Sequence, residues 1–158
     1  MAPLGPPASF PDVDLPGLDG VRRPISEAWR EGWAVIAVGH SDCETTLRAL
    51  PFVNRLHHRA APAAMALAVL QDRAAEAQAL VDTLGLELPV RLEAEPYPLA
   101  RQLGLGTVPT LFLVSPQARI EGVSEGFRRA DFEAFGARLG VPAPLFLPGD
   151  DAPALRPG

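Results

Sequence analysis

Two hydrophobic periods alternate along this chain. Trp33-Ala34-Val35-Ile36-Ala37-Val38-Gly39 is short and continuously apolar, the pattern of a central strand buried on both faces. Beyond it, Leu47, Leu50, Val53 and Leu56, with Phe52, recur every three or four positions and predict an amphipathic helix from about Cys43 to Arg59. Pro51 lies inside that helix, where it removes a backbone donor and is expected to introduce a kink. Met65 to Leu70 predicts a second apolar strand. Asp72 is placed to cap a helix through about Leu84, with Ala75, Ala79, Leu80 and Leu84 facing inward and Gly85 as its stop. Pro89 to Leu92 is short and strand-like, and Pro98 to Leu103 predicts a short helix ended by Gly104.

The last third changes character. Thr110 to Val114 and Arg119 to Val123 are two β runs joined by Ser115-Pro116-Gln117-Ala118, which predicts an antiparallel hairpin. Phe132, Phe135 and Leu139 line one face of a closing helix that ends at Gly140. The order βαβαβα, then a hairpin, then a helix, predicts an α/β fold: a mixed central sheet with helices on both faces. Residues 1–140 form one domain in this reading, and 141–158 a Pro-rich irregular tail. Leu145-Phe146-Leu147 in that tail need burial, against the domain or in a partner.

Composition narrows the picture. A chain of 158 residues suits one domain with a real core, and 47% hydrophobic with 21% charged residues reads as globular. No run approaches the roughly 20 apolar residues of a membrane span. Met1 to Phe10 lacks the basic and apolar regions of a signal peptide, so a cytoplasmic location is expected. Net charge is −5 and all 14 basic residues are Arg, a bias that suggests a GC-rich bacterial genome. Arg22-Arg23 and Arg128-Arg129 are isolated pairs, not the clustered basic face that nucleic acid requires. A single cysteine excludes an intramolecular disulfide and a Cys-based zinc site, and no metal or other cofactor is expected.

That cysteine carries the candidate chemistry. Cys43 lies just past a strand, at the first turn of a helix, where free backbone N–H groups and the helix dipole favour the thiolate. Thr46, one turn along, can donate its hydroxyl to the sulfur. A protonated His40 would add positive charge, whereas Asp42 and Glu44 oppose the thiolate. The bland reading is an inert buried thiol, a common fate of free cysteine. His57-His58 read as favourable charges at a helix C-terminus, and Trp29 and Trp33 as packing residues.

Val35 to Pro51 resembles the strand, active-site turn and helix of thioredoxin-like proteins, especially the TlpA-type and AhpC/TSA redoxins. In TlpA-type members Cys-x-x-Cys follows the strand, and a helix proline comes eight residues after the first cysteine. Cys43 and Pro51 keep that spacing, and Thr46 stands where the resolving cysteine would be, giving Cys-x-x-Thr. Gly106-Thr107-Val108-Pro109-Thr110-Leu111-Phe112-Leu113 resembles the family segment that holds a cis-proline before a strand. The resemblance implies that Pro109 is cis and faces Cys43, and that the Val108 backbone pairs with an extended substrate segment. Asp12 to Leu15, Leu88 to Val90 and Arg119-Ile120 look like further landmarks, so the similarity spans roughly residues 10 to 140.

Two departures shape the expected activity. The acid that many thioredoxins carry six residues before the nucleophile is Ala37 here, consistent with loss of the resolving thiol. The peroxiredoxin pattern is incomplete: His40, Ile36 and Pro109 occupy the places of its Thr or Ser, its Pro and its Arg. The expected function is therefore that of a monothiol thioredoxin-like thiol–disulfide oxidoreductase. Cys43 is the nucleophile, Thr46 and His40 assist it, and Val108 and Pro109 bind substrate. Its partners are protein or low-molecular-weight thiols and disulfides, with neither nucleic acid nor membrane. The alternatives are a one-cysteine, peroxiredoxin-like antioxidant peroxidase and a non-catalytic thioredoxin-fold binding module.

Overall fold

An apolar strand without polar alternation is stable only where both faces are covered, and the two such runs lie at the middle of the sheet. The computed structural model describes residues 2–158. Its strands are β1 (Asp14–Pro16), β2 (Arg22–Pro24), β3 (Ala34–Gly39), β4 (Met65–Leu70), β5 (Val90–Leu92), β6 (Thr110–Val114), β7 (Ile120–Glu125), β8 (Phe127–Arg128) and β9 (Leu155–Arg156). Four α-helices accompany them: α1 (Glu44–Arg59), α2 (Ala74–Leu84), α3 (Pro98–Leu103) and α4 (Arg129–Arg138). The central sheet has the order β5-β4-β3-β6-β7. β3, β4 and β5 run parallel, while β6 and β7 are antiparallel to their neighbours. β1 pairs with β2, and β8 with β9, in two small antiparallel sheets that the sequence pattern did not predict.

Strand side chains alternate faces, and the core divides accordingly. Val35 and Ala37 of β3 join Leu50, Val53 and Leu56 of α1, Leu80 of α2, and Phe132 and Phe135 of α4. Ala34, Ile36 and Val38 point the other way, onto Phe10, Ile25, Trp29 and Leu99 and Leu103 of α3. The sheet is thus covered on both faces, and the architecture is a mixed α/β layer. Trp29 stacks edge-on against Phe10, and Arg138 lies over the Trp33 ring, so both tryptophans act in packing.

Several expectations need correction. Asp72 does not cap α2: the N-cap position is Arg73, and the Asp72 carboxylate turns back to Ser41. The buried stripe of α2 is Ala77 and Leu80, with Val81 and Leu84 packed partly against the core, while Ala75 and Ala79 are exposed. Alanines are too small to fix the phase of a helix, and the leucine and valine positions set it. Pro51, where a kink is expected, does not end α1: the helix continues past it to Arg59, with Pro51 on its exposed side. His57 accepts the Ala66 N–H through Nδ1 at 3.1 Å. Burial, then the neighbouring His58, holds its pKa below the ordinary histidine value, so it is not the dipole-pairing charge the sequence suggested. His58 meets Glu87 at 3.0 Å.

Segment 141–158 folds onto the same core. Leu145 and Phe146 are buried, and Phe146 packs against Phe52, Phe127 and Phe132. Leu147 stays exposed. Arg55 grips the segment with a two-pronged contact to Asp150 at 2.6 and 3.1 Å. That contact and the Leu147 N–H draw the Asp150 pKa down to about 2. No described helix is long and apolar enough to cross a membrane.

Candidate active site

Antiparallel pairing of β3 with β6 sets Val38 opposite Thr110. The end of one strand therefore lies beside the start of the other, and the loop after β3 meets the loop before β6. The first of these loops carries His40 to Cys43, the second Thr107 to Pro109. Cys43 is the N-cap residue of α1, with extended backbone (φ −96°, ψ 115°), and its side chain is half-buried. Its Sγ donates to the Val108 carbonyl oxygen at 3.2 Å. The Val108–Pro109 bond is cis. Four X–Pro bonds in the described residues are cis, so it is the placement of this one beside the thiol that distinguishes it.

The Cys43 loop is anchored from β4. The Asp72 side chain is fully buried just beyond that strand and accepts from the Ser41 N–H at 3.2 Å and from the Ser41 hydroxyl. A buried carboxylate holds its place only when donors replace lost water, and Ser41 supplies them. His40 Nδ1 accepts the Asp42 N–H at 3.0 Å and lies 3.9 Å from Asp72 Oδ1. The imidazole thus braces the loop, and its hydrogen bond goes to backbone.

Thr46 is completely buried and its hydroxyl oxygen accepts the His40 N–H at 3.4 Å. It fits because position 39 is glycine: a Cβ there would fall 2.6 Å from the Thr46 methyl carbon. The sulfur's hydrogen-bond partner is the Val108 carbonyl and not the Thr46 hydroxyl. The structure therefore brings the Cys43 thiol onto the carbonyl of Val108, the residue joined to Pro109 by the cis bond, while Thr46 and His40 support the loop beneath the thiol.

Sequence reasoning missed three contributors. The local pattern offers Asp72 only the part of a helix cap, and nothing in the sequence marks Glu93. Glu93 is almost fully buried and uses Oε1 to accept the Leu99 and Ala100 N–H groups, leaving Oε2 without a partner. Arg156 was lost in the Pro-rich tail, which has no period to read; its guanidinium reaches Glu44 and Thr45 at the start of α1. Two clefts flank the site. One, of about 650 Å³, runs between Gln71, Tyr97, Leu105 and Val108. The other, of about 430 Å³, is lined by His40, Asp72, Glu76 and Glu93. No group of three or more His, Cys, Asp or Glu side chains among the described residues is arranged to hold a metal ion.

A five-stranded mixed sheet with a cysteine at the first helix and a cis-proline beside it defines the thioredoxin fold. Solved structures agree. The chain superposes on a Chlorobium tepidum protein described as a DsbE thiol:disulfide interchange protein, with a TM-score of 0.75, 23% identity, and coverage of 87% of this chain and 96% of that one. A Bacteroides thetaiotaomicron protein described as a protein disulfide isomerase gives a TM-score of 0.77 at 15% identity, over 89% and 92% of the two chains. Peroxidoxin BcpB of Mycobacterium tuberculosis gives 0.72 at 16%, over 89% and 97%. No protein-family profile matches the sequence, and no curated protein matches it.

Proposed function

We propose that this protein is a monothiol thiol–disulfide oxidoreductase. Cys43, as thiolate, attacks one sulfur of a disulfide R–S–S–R′. The Sγ–S bond to R forms as the S–S bond breaks, and R′S⁻ leaves and takes a proton. An external thiolate then attacks the R sulfur, restoring Cys43 and giving a new disulfide. One observation carries this reading: the only cysteine sits at a helix start, half-buried, against the carbonyl that precedes a cis-proline. Thr46 fills the place of a second thiol, so resolution comes from outside. A cytoplasmic setting belongs to the same reading, because a reducing compartment supplies the external thiol.

The group facing the sulfur also favours disulfides over peroxides. Peroxide cleavage places charge on a departing oxygen and gains from donors aimed at it, whereas the sulfur's neighbour here is an acceptor, the Val108 carbonyl. Stopped-flow reaction of the reduced protein with a small neutral disulfide and with hydrogen peroxide tests the choice. The expected result is a mixed disulfide at Cys43, absent in Cys43→Ser, and slow peroxide oxidation. Rapid peroxide consumption that collapses in His40→Ala would establish the peroxidase instead. Reaction with neither would leave a binding module.

A further inference from the structure

The chain's own residues 156–158 lie against the residues that flank Cys43 and Pro109. β9 pairs antiparallel with β8, Phe127 opposite Arg156 and Arg128 opposite Leu155, and the Arg129 N–H donates to the Ala154 carbonyl at 3.1 Å. The strand then crosses the start of α1. Arg156 Nε donates to Thr45 Oγ1 at 3.0 Å, and Nη2 to the Glu44 carboxylate at 2.9 Å. The Thr45 hydroxyl donates to the Pro157 carbonyl at 2.7 Å. Gly158 abuts the other loop: a Cβ built on it would lie 2.2 Å from the Val108 carbonyl oxygen and 2.5 Å from Thr107 Oγ1. That same oxygen accepts the Cys43 thiol. The strap therefore covers the two residues after the nucleophile and the two before Pro109.

Its grip is light. Leu155 is 55% exposed, the Arg156 side chain is about one-third exposed, and a cleft of about 320 Å³ persists between Thr107, Glu125, Arg128, Leu155 and Pro157. Exposed ion pairs contribute little, and few buried apolar contacts mean easy local opening. Leu145 and Phe146 fix the chain upstream, so the strap can leave without disturbing the core.

We propose that Glu44, Thr45, Thr107, Val108 and the β8 backbone form a docking groove for an extended, arginine-bearing segment of a partner protein, which residues 155–158 occupy in cis until the partner displaces them. The chemistry of the groove selects its ligand. β8 offers strand pairing, Glu44 and Thr45 accept a guanidinium, and the Thr45 hydroxyl donates to the carbonyl of the next residue. That residue uses only its carbonyl in the side-chain contacts, so proline fits. The one after it must be glycine, because a Cβ meets the Val108 carbonyl. The role assigned to docking, delivery of a partner's disulfide to Cys43, rests on the thiol–disulfide reading; the binding itself does not.

The test uses the full chain and two variants, Arg156→Gln and Gly158→Val; the second keeps every charge and cannot seat the strap. The probe is a fluorescein-labelled peptide of sequence Ala-Pro-Ala-Leu-Arg-Pro-Gly, followed by anisotropy. Both variants should bind it at least about tenfold more tightly than the parent, where the tethered copy competes at high effective concentration. A peptide with Gln in place of Arg should bind weakly. Equal binding to parent and variants, or binding to none, overturns the proposal. So does conversion of a dimer to a monomer in Arg156→Gln, which would assign the groove to self-association. In a second measurement, the rate of Cys43 with a disulfide-linked peptide, divided by that with a small neutral disulfide, should rise about tenfold in Gly158→Val as the competing strap leaves. A Cys43 inert to every disulfide would defeat the thiol–disulfide reading and leave the peptide result standing.

Discussion

The thiol of Cys43 donates to the backbone carbonyl of Val108 at 3.2 Å, across sixty-five positions of sequence. Val108 takes part through its backbone alone, so its side chain gives no sign of the contact. The contact exists because β3 and β6 are antiparallel neighbours, so the loops at their adjoining ends cannot avoid each other. What this arrangement does can be tested around it.

Thr46→Cys should convert the site into a dithiol. Residues three apart at the start of a helix are neighbours, and Cys43 and Thr46 stand at the N-cap and the third helical position of α1. Under mild oxidation the variant should lose its two free thiols and about 2 Da of mass, the signature of an internal disulfide. Its reduction of insulin disulfides should rise at least about tenfold, since an intramolecular thiol outcompetes one from solution. Two thiols that stay titratable after oxidation would show that Thr46 does not occupy the resolving position.

Asp72 should matter more to stability than its place in a loop suggests. Its buried carboxylate takes two donors from Ser41, and hydrogen bonds to charged groups contribute about 1.5–3 kcal/mol. Asp72→Ala should cost about 2–3 kcal/mol in urea unfolding and slow the reaction of Cys43 with a small disulfide, because the loop before it loses its anchor. A loss below about 0.5 kcal/mol, the range of ordinary surface substitutions, would mean that Ser41 finds other partners.

His57 gives the fold a pH dependence with a defined sign. Its proton is held more weakly in the fold than the ordinary value of 6.5, chiefly through burial. Below about that pH the unfolded chain takes up more protons than the folded one. The stability contribution is therefore complete above pH 6.5 and is lost as pH falls through the depressed folded value. Chemical unfolding between pH 7.5 and 5 should show this decline, and His57→Asn, which retains an acceptor for the Ala66 N–H, should flatten it. An unchanged slope in the variant would place the pH dependence elsewhere.

Phe146 tests whether segment 141–158 belongs to the domain. It is 5% exposed and lies among Phe52, Phe127 and Phe132. Phe146→Ala should destabilise the whole protein by about 3–5 kcal/mol in one cooperative transition. A separate early transition with little change in the main one would make the segment an appendage.

Patterns that depend on near neighbours in sequence were legible without coordinates. The unbroken apolar runs at 34–39 and 65–70 must be central strands, the spacing of Leu50, Val53 and Leu56 must be a buried helical face, and Ser115 to Ala118 must turn a hairpin, so Cys43 necessarily stands at a strand-to-helix junction. These follow from side-chain size and polarity repeating at the period of the backbone. Tertiary structure alone decided what each polar group would meet. Asp72 had a good local role as a cap and took a better one at Ser41, thirty-one positions away. His57 suits a charge at a helix C-terminus by its position, and the fold gives it the Ala66 N–H in a half-buried place instead. Arg156, in a proline-flanked tail with no period, reaches Glu44 across 112 positions because Leu145 and Phe146 are apolar enough to draw the chain back across α1. Hydrophobic burial is non-directional and can be counted along a sequence. A hydrogen bond needs its partner within about 3 Å, and only the folded chain says which groups come that close.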